Sequence, residues 1–216
     1  MQTVSSPKKK LRVLIADDIQ ETRRNTRLML ATIDDVEVVA IAANGLQAVQ
    51  LAEEHRPDIV LLDINMPEMD GLSAYKEIVR AHPDIGCIII SAEKDTTTLR
   101  NAISVGVQDY LIKPFTVEEL ETAVARVYVH VEKIRQELAQ ADQLRRRNEA
   151  YLKQLAGEYS KTRRTDDQAI EVFERLAENP QCETRWLQNL AMIYVIRRMW
   201  DRLKVLAEKV EARTKK

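Results

Sequence analysis

Short apolar runs recur at regular intervals in the first half of the chain. Each run is rich in Val, Ile and Leu, and the segments between them have helical spacing of apolar residues, as at Leu46, Val49 and Ala52. Near-continuous apolar strands that alternate with helices are typical of a parallel sheet covered on both faces. The predicted strands are residues 11–16, 36–42, 58–63, 86–91 and 107–112. The pattern therefore predicts an α/β domain with a doubly wound, five-stranded parallel sheet and right-handed crossovers.

Polar side chains stand at or just after the carboxyl ends of these predicted strands. In chain order they are Asp17, Asp18, Asp63, Ser91, Lys113 and Pro114. Ligands of open α/β sheets bind beyond the carboxyl ends of the strands. We therefore expect these residues to meet at one edge of the sheet.

Asp63 taken alone has an ordinary explanation, since an Asp at a strand end most often caps the following turn. The wider set favours a binding site, because three carboxylates at one sheet edge repel one another unless a cation lies among them. Mg²⁺ is the expected cation, since it prefers oxygen ligands and accepts few protein groups plus water. Lys113 and Ser91 add a positive charge and a hydroxyl donor, which suit a bound phosphoryl group.

Residues 11–127 resemble the receiver domain of a two-component response regulator, because these positions occur in that family's order and spacing. The resemblance implies a flavodoxin-like fold with strand order 2-1-3-4-5. It implies that Asp63 is the phospho-acceptor. It also implies that Mg²⁺ is bound by Asp17, Asp18, Asp63 and the backbone carbonyl of Asn65.

The resemblance implies roles for later positions as well. Ser91 would bond a phosphoryl oxygen, with the small Ala92 behind it, and Lys113 would pair with the phosphoryl group. The Lys113–Pro114 bond would be cis, and Tyr110 would be the switch aromatic. The implied donor is a phosphohistidine on a sensor histidine kinase or phosphotransfer protein. The expected chemistry is thus Mg²⁺-dependent self-phosphorylation and autodephosphorylation, and no other enzymatic activity.

A different periodicity begins after Pro114, where apolar residues recur at alternating spacings of four and three. The positions are Leu120, Val124, Val127, Val131, Ile134, Leu138, Ala141, Arg145, Asn148, Leu152, Leu155 and Tyr159. A heptad seam of this length predicts a long helix over residues 116–160 that forms a coiled coil. We expect a parallel homodimer through Leu120–Tyr159. The alternative is a long amphipathic helix that folds back on its own domain.

The two halves of the chain differ in charge, which bears on the output. Residues 1–127 carry 14 Lys and Arg against 20 Asp and Glu, whereas residues 128–216 carry 19 against 14. A basic half would suit nucleic acid, and RNA-binding antiterminators of the ANTAR type also join a receiver to a coiled coil and a helical bundle. Their Ala-x-Gly-(Ile/Leu)-Leu-Met helix is not found, and no helix-turn-helix is visible over residues 166–216. The favoured output is therefore protein–protein interaction, with an RNA-binding antiterminator or a DNA-binding regulator as alternatives.

The remaining composition indicates a location and a domain organisation. No apolar run approaches the ~18 residues of a membrane span, and residues 1–11 lack the apolar core of a signal peptide. The two cysteines lie far apart, and Cys87 is in an apolar run and is interpreted as a core residue, which favours a reducing cytoplasm. The predicted segments are a flexible tail (1–10), a receiver domain (11–127), an extended helix or coiled coil (116–160) and a small helical effector domain (165–216).

Overall fold

A computed structural model describes residues 10–92 and 96–214 of the chain. The predicted tail, apart from Lys10, lies outside the described residues. The chain divides into two compact units, one up to Leu138 and one from Ala139 onward. Among the described residues, no helix combines the length and the apolarity that a membrane span requires.

The first unit is a five-stranded parallel sheet with helices between the strands. Its elements are β1 (Leu11–Ala16), α1 (Gln20–Leu30), β2 (Val36–Ala42), α2 (Gly45–His55), β3 (Ile59–Asp63), α3 (Gly71–Ala81), β4 (Gly86–Ser91), α4 (Thr96–Val105), β5 (Asp109–Ile112) and the start of α5 (Val117–Lys161). The strand order is β2-β1-β3-β4-β5, and each neighbouring pair is parallel. The predicted fold class is therefore confirmed.

The burial of the central strands explains why their sequences are almost wholly apolar. Every residue of β3 and β4 is buried. Along β3, Val60 and Leu62 join the core that contains residues of α2 and α3, whereas Ile59 and Leu61 join the core that contains residues of α5. Each such side chain contributes about 1.5–3 kcal/mol through burial. A sheet covered on both faces leaves its strand ends as the place where polar groups collect.

The first part of α5 packs against the sheet, and this corrects the predicted dimer seam. Leu120, Val124, Val127 and Val131 are at most 3% exposed and belong to the core beneath β3 and β4. Side chains already buried within one chain cannot also pack against a second copy. The prediction of one continuous dimer interface over Leu120–Tyr159 is therefore wrong, and for these positions the alternative of a helix packed on its own domain is correct.

An ion-pair cluster holds α5 where it passes the amino ends of the central strands. Arg135 Nη2 lies 2.7 Å from Asp58 Oδ1, and its Nε donates to Asp84 Oδ2 at 3.3 Å. Asp58 is 3% exposed, and its other oxygen accepts a hydrogen bond of 2.7 Å from the backbone N–H of Arg12. Because a buried carboxylate is costly unless it is paired, Arg135 both satisfies Asp58 and fixes this part of α5.

The second unit is a small helical assembly with its own core. It contains the rest of α5 with α6 (Asp167–Glu178), α7 (Thr184–Ile196) and α8 (Trp200–Thr214). Leu152 and Ala156 of α5 are buried beside Phe173 and Trp186, whose ring centroids are 6.2 Å apart. The last part of the predicted dimer seam is thus also used within the chain. A small all-α region after the long helix agrees with the predicted fold class.

Gly86 permits the close approach of α5 to β4 and offers a test of this packing. An alanine methyl there would overlap Val127 and lie 2.7 Å from Val131 Cγ2. Gly86→Ala is expected to lower the free energy of unfolding by about 1–3 kcal/mol, the usual cost of overpacking a core. Urea denaturation followed by circular dichroism measures this loss.

The matched control is Gly157→Ala, because a Cβ there meets nothing within 4 Å. This change should be neutral or stabilising by up to about 1 kcal/mol, since Ala favours a helix interior more than Gly does. Wild-type stability for Gly86→Ala would contradict the described packing of α5.

Candidate functional site

The parallel register brings the predicted polar residues to one edge of the sheet. Ala16 of β1 is level with Leu62 of β3, and Asp63 is level with Ile90 of β4. Asp17 follows β1 directly, Asp63 ends β3, and Lys113 follows β5. The backbone N–H of Lys113 donates to the carbonyl of Ser91 at 2.8 Å, which fixes the last of these ends beside β4. The expected meeting of these strand ends is observed.

Lys113 lies between two carboxylates and hydrogen-bonds both. Its Nζ donates to Asp17 Oδ2 at 2.7 Å and to Asp63 Oδ1. The Asp17 and Asp63 side chains are 4% and 8% exposed, and that of Lys113 is 21% exposed. Charge-assisted hydrogen bonds in such a shielded place are stronger than those at an open surface. We refer to these three residues as the Lys113 triad.

Backbone groups hold the remaining carboxylate oxygens of the triad. Asp17 Oδ1 accepts from the N–H of Ile19 at 2.8 Å, and Asp63 Oδ2 accepts from the N–H of Asn65 at 2.9 Å. Arg23 donates from Nη1 to the carbonyl of Asp17 at 2.5 Å. Both carboxylates are therefore fixed in position by neighbours on their own loops before any ligand is considered.

Burial and charge shift the pKa values of the triad. Burial raises the pKa of Asp63, the charge of Asp17 adds to this rise, and the bond from Lys113 offsets only part of it. Burial alone would lower the pKa of Lys113, but hydrogen bonds and charges from both carboxylates outweigh burial and raise it. The lysine has two anionic partners whereas Asp63 has one cationic partner and one anionic neighbour. The edge of the sheet thus has an excess of negative charge.

The fit of this edge to Mg²⁺ depends on its donors and its charge. Asp17, Asp18 and Asp63 bring three carboxylates against the single ammonium of Lys113, and Asp18 is exposed. In the part of the chain that the structure describes, no three acidic, His or Cys side chains are grouped as metal ligands. The two buried carboxylates turn to Lys113 instead. The chemical nature of these ligands nevertheless suits Mg²⁺, because carboxylate oxygens with excess negative charge are what a hard divalent cation prefers.

The remaining predicted positions lie around the triad. Ser91 is 2% exposed at the end of β4. Ala92 is exposed, and residues 93–95 that follow it lie outside the described residues. Tyr110 in β5 is half-buried and packs against the core beside α2 and α3. The Lys113–Pro114 bond is cis, as the resemblance implied.

Sequence reasoning missed two residues that shape the site. A Cβ at Gly71 would overlap the carbonyl of Asp63, and the Gly71 N–H donates to the carbonyl of Ile64 at 3.1 Å. Gly71 therefore lets the loop after β3 close directly over the end of that strand. Arg23 supports Asp17 from one turn into α1. The contacts of Gly71 and Arg23 arise only when the loops fold. The one signal in the sequence was a glycine in the turn after β3.

The fold, the strand-end residues and the family comparison agree on the class of protein. The family model for the response regulator receiver domain matches residues 13–125, and the chain belongs to this family. It is a two-component response regulator receiver domain followed by a helical C-terminal region.

Individual relatives support this assignment. Over 113 residues the chain is 40% identical to the chemotaxis protein CheY of Bacillus subtilis, covering 52% of this chain and 93% of that one. Over 110 residues it is 40% identical to the uncharacterized transcriptional regulatory protein YhcZ of the same organism, covering 51% of each. Among solved structures, the CheX–CheY–BeF3–Mg²⁺ complex of Borrelia burgdorferi superposes with a TM-score of 0.52 at 28% identity, covering 55% of this chain and 89% of that one. The chain spans about half the length of the curated transcriptional and C4-dicarboxylate regulators that it matches.

The pairing of Lys113 with two carboxylates gives a stability test. Lys113→Met is expected to lower the free energy of unfolding at pH 7 by about 2–4 kcal/mol, because it leaves Asp17 and Asp63 buried, unpaired and mutually repelling. The loss should shrink as the pH falls below 7, since the pKa of Asp63 is raised and a protonated Asp63 no longer repels Asp17. Thermal unfolding over a pH series measures both effects.

Lys153 provides the control, because it also lies near two carboxylates, Glu149 at 2.9 Å and Glu183 at 3.9 Å. Its side chain is 41% exposed, so water screens these pairs and Lys153→Met should change stability little at any pH. Equal losses in the two variants would contradict a special role of burial at the Lys113 triad.

Proposed function

We propose that Asp63 accepts a phosphoryl group from a phosphohistidine of a sensor histidine kinase or phosphotransfer protein, and that this switches the helical region that follows. The observation that carries the proposal is the Lys113 triad at the carboxyl edge of the sheet. It combines a carboxylate nucleophile, a second carboxylate and a fixed ammonium group in one shielded place.

The transfer needs a nucleophile and a way to hold the phosphoryl oxygens. A carboxylate oxygen of Asp63 attacks phosphorus as the bond from phosphorus to the histidine nitrogen breaks, and the imidazole leaves with that electron pair. Lys113 and the Ser91 hydroxyl hold phosphoryl oxygens through charge and hydrogen bonding. Asp17, Asp18, Asp63 and the carbonyl of Asn65 would hold Mg²⁺, which when bound would offset negative charge on the transferring group. Water later hydrolyses the acyl phosphate, and the carboxylate returns.

The switch follows from what phosphorylation does to the triad. A phosphoryl group on Asp63 competes with the carboxylates for Lys113 and gives Ser91 a new acceptor. The half-buried Tyr110 lies on β5, three residues before Lys113, and has a partly open position from which it can turn inward. Such a change would alter the surface that β5 shares with its neighbouring helices.

The output is proposed to be protein binding by the unit from Ala139 onward. Its support is a separate apolar core with additional apolar side chains left exposed, which include Met192, Ile196 and Trp200 at 58–61%. The alternatives of RNA or DNA binding have weaker support, because many cations of this unit are paired with nearby carboxylates, as Arg197 is with Asp167 and Arg202 with Glu174. Two relatives have names that refer to transcriptional regulation, but the chain covers only about half of each of those proteins.

Phosphorylation of Asp63 has a direct test. Acetyl phosphate with Mg²⁺ should add one phosphoryl group to the wild-type protein by intact mass, and Asp63→Asn should take up none, because an amide is not a nucleophile toward phosphorus. The double variant Asp17→Asn, Asp18→Asn should be labelled at least about tenfold more slowly, since it removes two of the proposed metal ligands.

Two controls separate chemistry from misfolding. Asp142→Asn, an exposed acidic residue on α5, should be labelled as the wild type is. Mg²⁺ titration followed by Tyr fluorescence should detect binding to the wild type and not to the double variant. Full labelling of Asp63→Asn would show that the phosphorylated residue lies elsewhere.

A homodimer through the middle of α5 is a second proposal. It uses Leu144 and Tyr151, which lie beside the predicted seam positions Arg145 and Leu152. Leu144 is 65% exposed and Tyr151, seven residues later, is 59% exposed. Ala141 and Asn148 are also exposed and complete a three-four-three spacing. Apolar side chains at coiled-coil spacing and open to water are what a second helix would cover.

Light scattering tests the dimer. The wild type should be dimeric at tens of micromolar, and Leu144→Asp, Tyr151→Asp should be monomeric because the charges would face each other across the interface. The control Gln143→Asp, Ala150→Asp puts the same charges at the same spacing on a different stripe of the helix and should remain dimeric. A monomeric wild type would remove this proposal and leave the phosphorylation proposal standing.

A further inference from the structure

A cavity of about 440 Å³ lies in the second unit, between the end of α5, the middle of α6 and the last turns of α7. This volume is in the range of sites that take a ligand or an anchoring side chain. Its inner wall includes the rings of Phe173 and Tyr159 and the side chain of Ile193. Phe173 and Ile193 are 1% and 4% exposed, so the wall is part of the folded core and exists before any partner binds.

The mouth of this cavity is apolar and open to water. Met192 is 61% exposed and Ile196 is 58% exposed, and both line the opening. Exposure of these two large apolar side chains to water is unfavourable in free energy. A partner that buried them against the apolar wall would remove this cost. Methionine is well suited to such a place because its unbranched thioether adapts to different shapes.

Two arginines lie at the rim of the cavity, one paired with a carboxylate and one not. Arg164 stacks over the ring of Tyr159 at 4.3 Å and pairs with Asp166 at 2.7 Å, so its charge is already partnered. Arg163 has a left-handed backbone with φ of 51°, and its side chain is bonded to no other residue within the described part of the chain. The cavity thus presents one unengaged guanidinium beside an apolar opening.

We propose that this cavity is the docking site of a partner protein segment that inserts one large apolar side chain and places a carboxylate beside it, on Arg163. The proposal rests on the proposed protein-binding output and names its place and the chemistry of its partner. An apolar cavity next to the unpaired guanidinium of Arg163 favours an acidic, amphipathic peptide. Helical segments are recognised in this way, by anchors in a groove and charges at its edge.

Charge also argues against nucleic acid as the occupant. A phosphate backbone is bound by several cations that release counterions together. Here Asp166 and Asp167 follow the lining residue Thr165 in the chain and pair with Arg164 and Arg197. Arg197 also donates to the carbonyl of Thr165, a residue that lines the cavity, at 3.2 Å. One unengaged cation would hold a phosphate chain weakly, whereas it suits a single carboxylate.

The test uses the full chain and two matched sets of fluorescent peptides. Both sets carry the same Leu, Ile, Met or Phe anchors at helical spacing, one set flanked by Asp and Glu and the other by Lys and Arg. Fluorescence anisotropy should show the best acidic peptides binding at least about tenfold more tightly than their basic counterparts. Arg163→Glu should abolish or reverse this preference, and Met192→Gln should weaken binding of the acidic set about tenfold.

Matched substitutions away from the cavity provide the controls. Arg175→Glu changes another exposed arginine, paired with Glu171 on α6, and Val205→Gln changes a 64% exposed apolar residue on α8 that does not line the cavity. Both should bind the acidic peptides as the wild type does. Circular dichroism and acetyl phosphate labelling of every variant show whether the fold and the receiver are intact.

Three results would overturn the inference. The first is no preference for acidic peptides in a protein that is labelled normally at Asp63, which would leave the receiver function untouched. The second is binding of single-stranded RNA or duplex DNA that is lost in Arg163→Glu, which would make nucleic acid the occupant. The third is a change of oligomeric state in Met192→Gln, which would make a second copy of this chain the occupant.

Discussion

The ammonium group of Lys113 lies between the carboxylates of Asp17 and Asp63, and this pairing organises the carboxyl edge of the sheet. Three strand ends that are far apart in the chain meet there because the sheet is parallel in the order β2-β1-β3-β4-β5. Two carboxylates buried side by side are costly unless a cation compensates them. The lysine supplies that compensation, and the charge that remains unbalanced is what makes the edge suited to a further cation and to phosphoryl chemistry.

The same balance explains how a small chemical event could change the protein. Burial raises the pKa of Asp63, and the two carboxylates raise that of Lys113. A new anion at this edge would compete with the two carboxylates for the ammonium group of Lys113. Ser91 and Tyr110 lie within the strands that end at this edge, and Gly71 allows the loop after β3 to close over it. The proposed switch would therefore use polar groups that the fold places at the edge of an apolar core.

Helix α5 serves more than one purpose along its length, and this changes how its periodicity is understood. Its first apolar positions, from Leu120 to Val131, complete the receiver core, and Leu152 and Ala156 complete the core of the second unit. The middle of the helix leaves apolar side chains such as Leu144 and Tyr151 exposed. A heptad pattern records that one face of a helix is apolar; it does not record whether a sheet, a helical bundle or a second copy covers that face.

The sequence by itself determined the strands, their parallel arrangement and the set of polar residues at their ends. It could do so because alternation of apolar runs with helices has one favoured topology. Three carboxylates, a lysine and a hydroxyl at the strand ends of one sheet edge together indicate a binding site. Only the tertiary structure decided which groups pair. The ion pairs of Lys113 with Asp17 and Asp63 and of Arg135 with Asp58 join residues 50 to 96 positions apart, and the close fit at Gly86 depends on packing between elements. It likewise decided what covers α5 and where Met192 and Arg163 lie around one cavity. Contacts of this kind arise when distant segments meet, and no local pattern of residues specifies them.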